Sequence, residues 1–244
     1  GDMPLLRAGS LAKLVAEQRQ SSAVIALLSV LGDAGSSFGR VVRAADGAVS
    51  EIVEVAEARQ RANTAELLAI RELNAGVYCF EAGWLWDNLP RLPLRQARDG
   101  QEYYLTDMVG LAVAQGERVV AIVGEDPDEF LGAGTRAELV AVEKAFRRRA
   151  NRRWLESGVT LIDPETTYID QQAIIGQDTV IWPNSYIQGH SCVGSDCVIG
   201  PNTILRDAQV GNGCIIEQAV VEASEIPSGT RVQPFTFLRD NKEV

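Results

Sequence analysis

The chain has 244 residues, of which 33 are acidic and 23 are Lys or Arg, so its formal net charge of −10 argues against general binding to nucleic acid or to an anionic membrane surface. A hydrophobic fraction of 46% suits a globular chain with one large domain or two, and no apolar run reaches the roughly 18 residues needed for a membrane span. The opening "GDMPLLRAGS" has no basic-then-apolar pattern, so no signal peptide is expected, and Cys79, Cys192, Cys197 and Cys214 form no C-x-x-C pair, which predicts reduced thiols in a cytoplasmic protein.

In chain order, "SLAKLVAEQRQ" at residues 10–20 has helical spacing, and "SAVIALLSVL" at 22–31 is a buried-strand run. "TDMVGLAVAQGE" at 106–117 is again helical, and "RVVAIVG" at 118–124 is again a strand. Such alternation predicts an α/β layer domain over residues 1–135. A linker helix is expected over 136–157, with Leu139, Val142, Ala145 and Phe146 on one side. Its arginines (Arg147, Arg148, Arg149, Arg152, Arg153) read as a solvated face rather than a phosphate patch, because the acidic chain offers no wider basic surface.

From residue 158 the period changes. Ile169, Ile175, Ile181, Ile187, Val193, Ile199 and Leu205 stand six apart, and the register restarts at Val210 and Ile216. It is interrupted by "EASE" and resumes at Ile226, Val232 and Leu238. Compact residues follow four positions after each leading aliphatic: Ala173, Thr179, Ser185, Ser191, Cys197, Thr203, Cys214, Val220, Thr230 and Thr236. A six-residue period fits neither a helix nor an alternating strand. It suits a triangular prism of about four coils, aliphatic residues stacked along the axis and turn formers such as Pro183-Asn184 and Pro201-Asn202 at the corners. The pattern resembles the hexapeptide-repeat proteins, and left-handedness and a homotrimer are implied by that resemblance alone.

Seven further stretches, "GDMPLL", "FGRVVR", "EIVEVAEA", "ELNAGVYCF", "GQEYYLTDMV", "GVTLIDPETTYID" and "PFTFLR", occur in order along the whole chain. Together they resemble the bacterial bifunctional enzymes that join an N-acetylglucosamine-1-phosphate uridyltransferase to a hexapeptide-repeat glucosamine-1-phosphate acetyltransferase. The fold so implied is a nucleotidyltransferase-like, partial Rossmann-like α/β domain, the linker helix, and a left-handed parallel β-helix over 158–244. The activity implied is uridylyl transfer from UTP to N-acetylglucosamine-1-phosphate, giving UDP-N-acetylglucosamine, in a soluble cytoplasmic enzyme. Carried onto this sequence, Asp2 matches a ligand of Mg²⁺, a hard cation that favours carboxylate oxygen. Gly39 matches a glycine against which the sugar lies, Glu54 and Asn74 match residues bonding the sugar hydroxyls, and Thr106 lies in a motif lining the same pocket. Arg239 matches a phosphate-contacting arginine of the acetyltransferase acceptor site.

The sequence departs from that family in four places. No glycine-rich L-x-x-G-x-G-T-R-M loop occurs in it, and Gly134, in "GAGTR", stands where the family has a second metal-holding asparagine. His190, the one histidine, falls in an early coil and reads as a solvated corner residue. The repeats run to "FLRDNKEV" with no capping helix, which leaves a strand edge to be covered. The expectation is therefore little uridyl transfer by these 244 residues on their own. Two other functions fit the same residues: a single-function sugar-nucleotide pyrophosphorylase with an assembly or regulatory β-helix, and a non-catalytic oligomerisation module.

Overall fold

The computed structural model describes residues 3–33, 37–97 and 100–244. The chain divides into two compact units, Gly1–Gly134 and Thr135–Val244.

The first unit is a mixed sheet with helices. In chain order it runs α1 (Ala8–Ser21), β1 (Ile25–Leu31), β2 (Arg40–Arg43), β3 (Val49–Val53), α2 (Val55–Ala58), α3 (Thr64–Ala69) and β4 (Glu72–Phe80). It continues through α4 (Ala82–Asn88), β5 (Leu94–Ala97), β6 (Gly100–Tyr103), α5 (Asp107–Ala114) and β7 (Val119–Val123). The sheet order is β3-β2-β4-β1-β7, while β5 and β6 form a separate hairpin. The apolar run in β1 is buried at six consecutive positions, as a central strand covered on both faces requires. It pairs parallel with β7 and antiparallel with β4. Two hydrophobic clusters form around β1, one containing Ile25, Leu27, Met108 and Val109, the other Leu14, Ala26, Leu28 and Phe130.

The β1–β4 ladder is not regular. Leu28 lies opposite Val77, but its neighbour Ser29 lies opposite Asn74, so Ala75 and Gly76 bulge out of β4. Gly76 takes φ +69°, where a side chain would be strained. This distortion shapes the site described below.

The second unit opens with α6 (Arg136–Glu156), started by a capping box in which Thr135 and Glu138 bond each other's backbone N–H. Val142 and Ala145 are buried, as the periodicity suggested, but Leu139 and Phe146 are exposed. The buried stripe instead continues through Arg147, Asn151 and Trp154. The Arg147 guanidinium lies 4.5 Å from the Tyr168 ring centre and is bonded to Glu143 at 2.8 Å. Asn151 donates to the carbonyls of Pro164 and Thr167 at 2.8 and 3.0 Å. The arginine run is thus not solvated throughout: a stacked cation and a bonded amide serve as packing residues, which hydrophobic periodicity cannot mark.

Residues beyond α6 form a parallel β-helix, a left-handed hexapeptide-repeat solenoid of about four turns. One side stacks Leu161, Ile181, Ile199, Ile216 and Val232 in register. The second stacks Ile169, Ile187, Leu205, Val221 and Leu238, and the third Ile175, Val193, Val210 and Ile226. All join one hydrophobic cluster. Most of the compact residues two places before these aliphatics are buried, Thr230 and Thr236 partly so, and hydroxyls among them are spent on turn carbonyls: Ser185 on Trp182, and Ser191 on Gln188, each at 2.7 Å.

Two details of the expected repeat are corrected. The inward compact residue of the fourth coil is Ala219, not Val220, which is half-buried on the outside. Nor does "EASE" interrupt the pattern, because Val221 is fully buried and Ser224 and Ile226 follow inward. A side can lose one residue without losing the stack: Ile181, Ile199, Ile216 and Val232 follow at 18, 17 and 16 residues. The residue before most compact positions turns the corner with positive φ, among them Asp178, Asn184, Asp196, Asn202, Asp207, Gly213 and Gly229 as well as Gln218, Ala223 and Phe235. The strand edge at "FLRDNKEV" is also partly covered. Asp240 and Asn241, both at positive φ, return the chain so that Lys242–Glu243 pair antiparallel with Phe237–Arg239.

Candidate functional site

Four of the six expected site residues converge in the first unit. Gly39 precedes β2, Glu54 follows β3, Asn74 lies in β4 and Thr106 precedes α5. The backbone N–H of Asn74 donates to the Gly39 carbonyl at 2.8 Å, tying the two segments. A Cβ at Gly39 would stand 3.1 and 3.2 Å from the two Glu54 carboxylate oxygens and 3.2 Å from Ile52 Cγ2. The glycine therefore leaves a notch floored by that carboxylate.

Glu54 and Thr106 occupy equivalent local positions. Each is the N-cap residue of a helix, α2 and α5 respectively, and neither side chain caps its helix. Cap residues ordinarily spend the side-chain oxygen on the first free N–H groups. Here Thr106 instead lies beside the Glu54 carboxylate and favours its ionised form. Burial raises the Glu54 carboxyl above its ordinary range; Thr106 opposes the shift, and nearby Glu57 and Asp107 add to it. Asp107 is in turn gripped by Arg95 through two bonds of 2.7 and 2.8 Å. Arg61 bonds Glu51 and Glu57 at 2.8 Å each. These guanidiniums line a cleft of about 260 Å³ that also includes Thr106 and Asp107.

Asn74 is 7% exposed. Its Oδ1 accepts from the Gly76 N–H at 3.0 Å and from the Tyr78 hydroxyl at 2.9 Å. Among the described residues nothing accepts from its Nδ2, so two donors remain available to a ligand. Burial pushes the Tyr78 hydroxyl well above the usual phenol range, so it remains a donor across ordinary pH. Tyr78 was not among the expected site residues, although it lies within "ELNAGVYCF"; a half-buried phenol in a strand carries no signal by itself.

The other expected residues stand apart. Asp2 lies outside the described residues. Gly134 is an exposed glycine with no side-chain oxygen, and among the described residues no group of three His, Cys, Asp or Glu could hold a metal. The described residues thus hold no ready-made three-ligand metal cluster, and a magnesium ion held by one carboxylate, water and phosphate oxygens would rest on Asp2. Arg239 belongs to the second unit, in an exposed row along one face. It bonds Glu222 at 2.8 and 2.5 Å, and Arg206 bonds the same carboxylate from the preceding coil. His190 is exposed at a corner, 3.8 Å from Asp207. All four cysteines are free thiols. No described helix is long and apolar enough to cross a membrane.

Comparison with known proteins adds two findings. Residues 172–207 match the family described as bacterial transferase hexapeptide (six repeats). The chain is also similar along nearly its whole length to proteins named "Bifunctional protein GlmU". It is 39% identical to that of Pelobacter propionicus over 99% of this chain and 48% of the relative. For the Pelotomaculum thermopropionicum protein the identity is 45% over 98% and 51%, and for that of Shouchella clausii 36% over 100% and 52%. The chain thus spans about half the length of the curated relatives it matches.

Proposed function

We propose, from the premise that this chain is a relative of the bifunctional GlmU proteins spanning about half of their length, that its first unit carries the sugar-phosphate side of a uridyltransferase site serving UDP-N-acetylglucosamine synthesis. The observation that carries this reading is a Glu54 carboxylate that does not cap its helix and floors the Gly39 notch, beside an Asn74 amide with unspent donors.

In the proposed reaction an oxygen of the sugar phosphate attacks the α-phosphorus of UTP, a new P–O bond forms, and pyrophosphate leaves. Positioning and charge neutralisation carry most of such a displacement. The first unit supplies positioning. Ionised Glu54, favoured by Thr106 beside it, accepts hydrogen bonds from sugar hydroxyls, and Asn74 Nδ2 donates to a sugar oxygen. Gly39 lets the ring approach the backbone. A magnesium ion, if bound, would be held by Asp2 with phosphate and water oxygens and would neutralise the phosphate charge. In the second unit Arg239 spends Nε and Nη2 on Glu222, which leaves Nη1 to meet a phosphate group. The β-helix is proposed to assemble the protein as a homotrimer, in the cytoplasm.

Calorimetric titration with N-acetylglucosamine-1-phosphate tests the reading. Saturable binding is expected, weakened about tenfold or more by Glu54→Ala, since a hydrogen bond to a charged group contributes about 1.5–3 kcal/mol. Absence of binding at millimolar ligand, or binding indifferent to Glu54→Ala, overturns it. Equal affinity for glucose-1-phosphate would favour instead a pyrophosphorylase of different sugar specificity.

A further inference from the structure

We infer that Tyr78 is a positioning residue for the sugar-binding amide: through the bulge in β4 its hydroxyl locks the Asn74 carboxamide with the oxygen turned inward and the NH₂ turned to the ligand. The inference rests on the uridyltransferase reading and adds to it the group that sets the direction of one of its donors.

The geometry begins with the bulge. In a regular strand, residues 74 and 78 would lie about 13 Å apart along the strand axis. Here two extra residues are taken up between the Leu28–Val77 and Ser29–Asn74 pairs, and Gly76 turns at φ +69°. That turn points the Gly76 N–H at Asn74 Oδ1 and brings the Tyr78 hydroxyl to the same atom.

The bonding roles then follow from donor chemistry. A backbone N–H can only donate, so the atom facing Gly76 must be the amide oxygen. One such bond defines which way the amide is flipped but leaves it free to rock about the bond. A second donor from another direction fills the remaining lone pair and removes that freedom. Tyr78 meets this requirement. Its ring is anchored independently by stacking on Phe80 at 5.6 Å and by packing against the core cluster, so the hydroxyl is held whether or not a ligand is present. With both lone pairs filled, the polar capacity left to Asn74, 93% of whose surface is covered, is its pair of Nδ2 donors. Preorganised donors bind better than mobile ones because the ordering cost falls on folding rather than on binding.

A double-mutant cycle tests the inference on the full chain, with N-acetylglucosamine-1-phosphate titrated into the wild type, Tyr78→Phe, Asn74→Ala and the double variant. Tyr78→Phe keeps the ring and removes the hydroxyl. It is expected to weaken binding roughly fivefold to tenfold, the range of one modest hydrogen bond, and to cost nothing further once Asn74 is alanine. Losses that multiply in the double variant would mean Tyr78 acts on folding or on the ligand directly, and the inference fails. It also fails, with the uridyltransferase reading intact, if Asn74→Ala weakens binding and Tyr78→Phe does not. If the wild type binds no sugar phosphate, both fall together. A second measurement needs no variant. In ¹H–¹⁵N and aromatic ¹H–¹³C spectra of the wild-type chain, ligand is expected to shift the Asn74 Nδ2–H resonances and leave the Tyr78 ring signals in place. Ligand-induced shifts concentrated on Tyr78 would overturn the positioning role.

Discussion

The two units solve the same problem, burying apolar surface, by opposite means. In the β-helix each coil contacts the next, so every structural role recurs at short intervals and can be read as a period. In the α/β unit the roles occur once. Arg95 grips Asp107 across 12 positions, and Asn74 is tied to Gly39 across 35. The difference teaches where information about function sits. A repeat tells what is inside, because inside is the same everywhere; a site is assembled from unlike residues brought together by the fold.

The contrast can be broken most forcefully at the axis. Ile187 is fully buried between Ile169 and Leu205. Ile187→Asp places a charge there with no partner, an expected loss on the order of 4 kcal/mol or more. Because solenoid stability is transmitted through neighbouring coils, calorimetry should show the β-helix transition lost or shifted far down while the first unit still melts. An unchanged thermogram would refute the stacked-axis description.

A smaller effect of opposite sign is expected at the corners. Ala223 sits at φ 43° where Asp, Asn or Gly stands at most other corners. The left-handed conformation costs a non-glycine residue about 1–2 kcal/mol, offset in part by the greater unfolded-state freedom of glycine. Ala223→Gly should therefore stabilise the β-helix by roughly 0.5–1 kcal/mol in denaturant unfolding. A destabilisation would show that the Ala223 methyl packs more than its backbone strains.

The smallest effect sharpens the other side of the comparison. Burial raises the Glu54 carboxyl in the folded chain, so between the ordinary carboxylate pKa and the raised one the native state binds more protons than the unfolded state. Stability from this group is therefore lost as pH rises through that window. Glu54→Gln removes the dependence. Its thermal midpoint relative to wild type should be higher at about pH 7 than at about pH 4, while sugar-phosphate binding weakens. A difference that is flat with pH, or reversed, would mean the carboxylate is better compensated than its surroundings indicate.

Read against the structure, the sequence was most informative where neighbours alone decide. The six-residue period marked Ile175, Ile181, Ile187, Val193 and Ile199 as inward, and all are buried. It failed at Val220 and Val221, where shortened sides shift the register by one: a corner can drop a residue when the next coil still stacks, and backbone pairing with the coil before decides that. Helical spacing found the start of α6 but not Arg147 and Asn151 in its buried stripe, because their polar atoms are satisfied by Glu143, Tyr168 and backbone carbonyls that no local pattern announces. Motif resemblance singled out Gly39, Glu54, Asn74 and Thr106 one by one. That the Glu54 carboxylate leaves its helix N-terminus to floor the Gly39 notch, and that a bulge in β4 brings Tyr78 onto Asn74, are facts of tertiary structure. They depend on strand register and on which hydrogen bonds remain after the backbone has taken its own, and a chain specifies those only by folding.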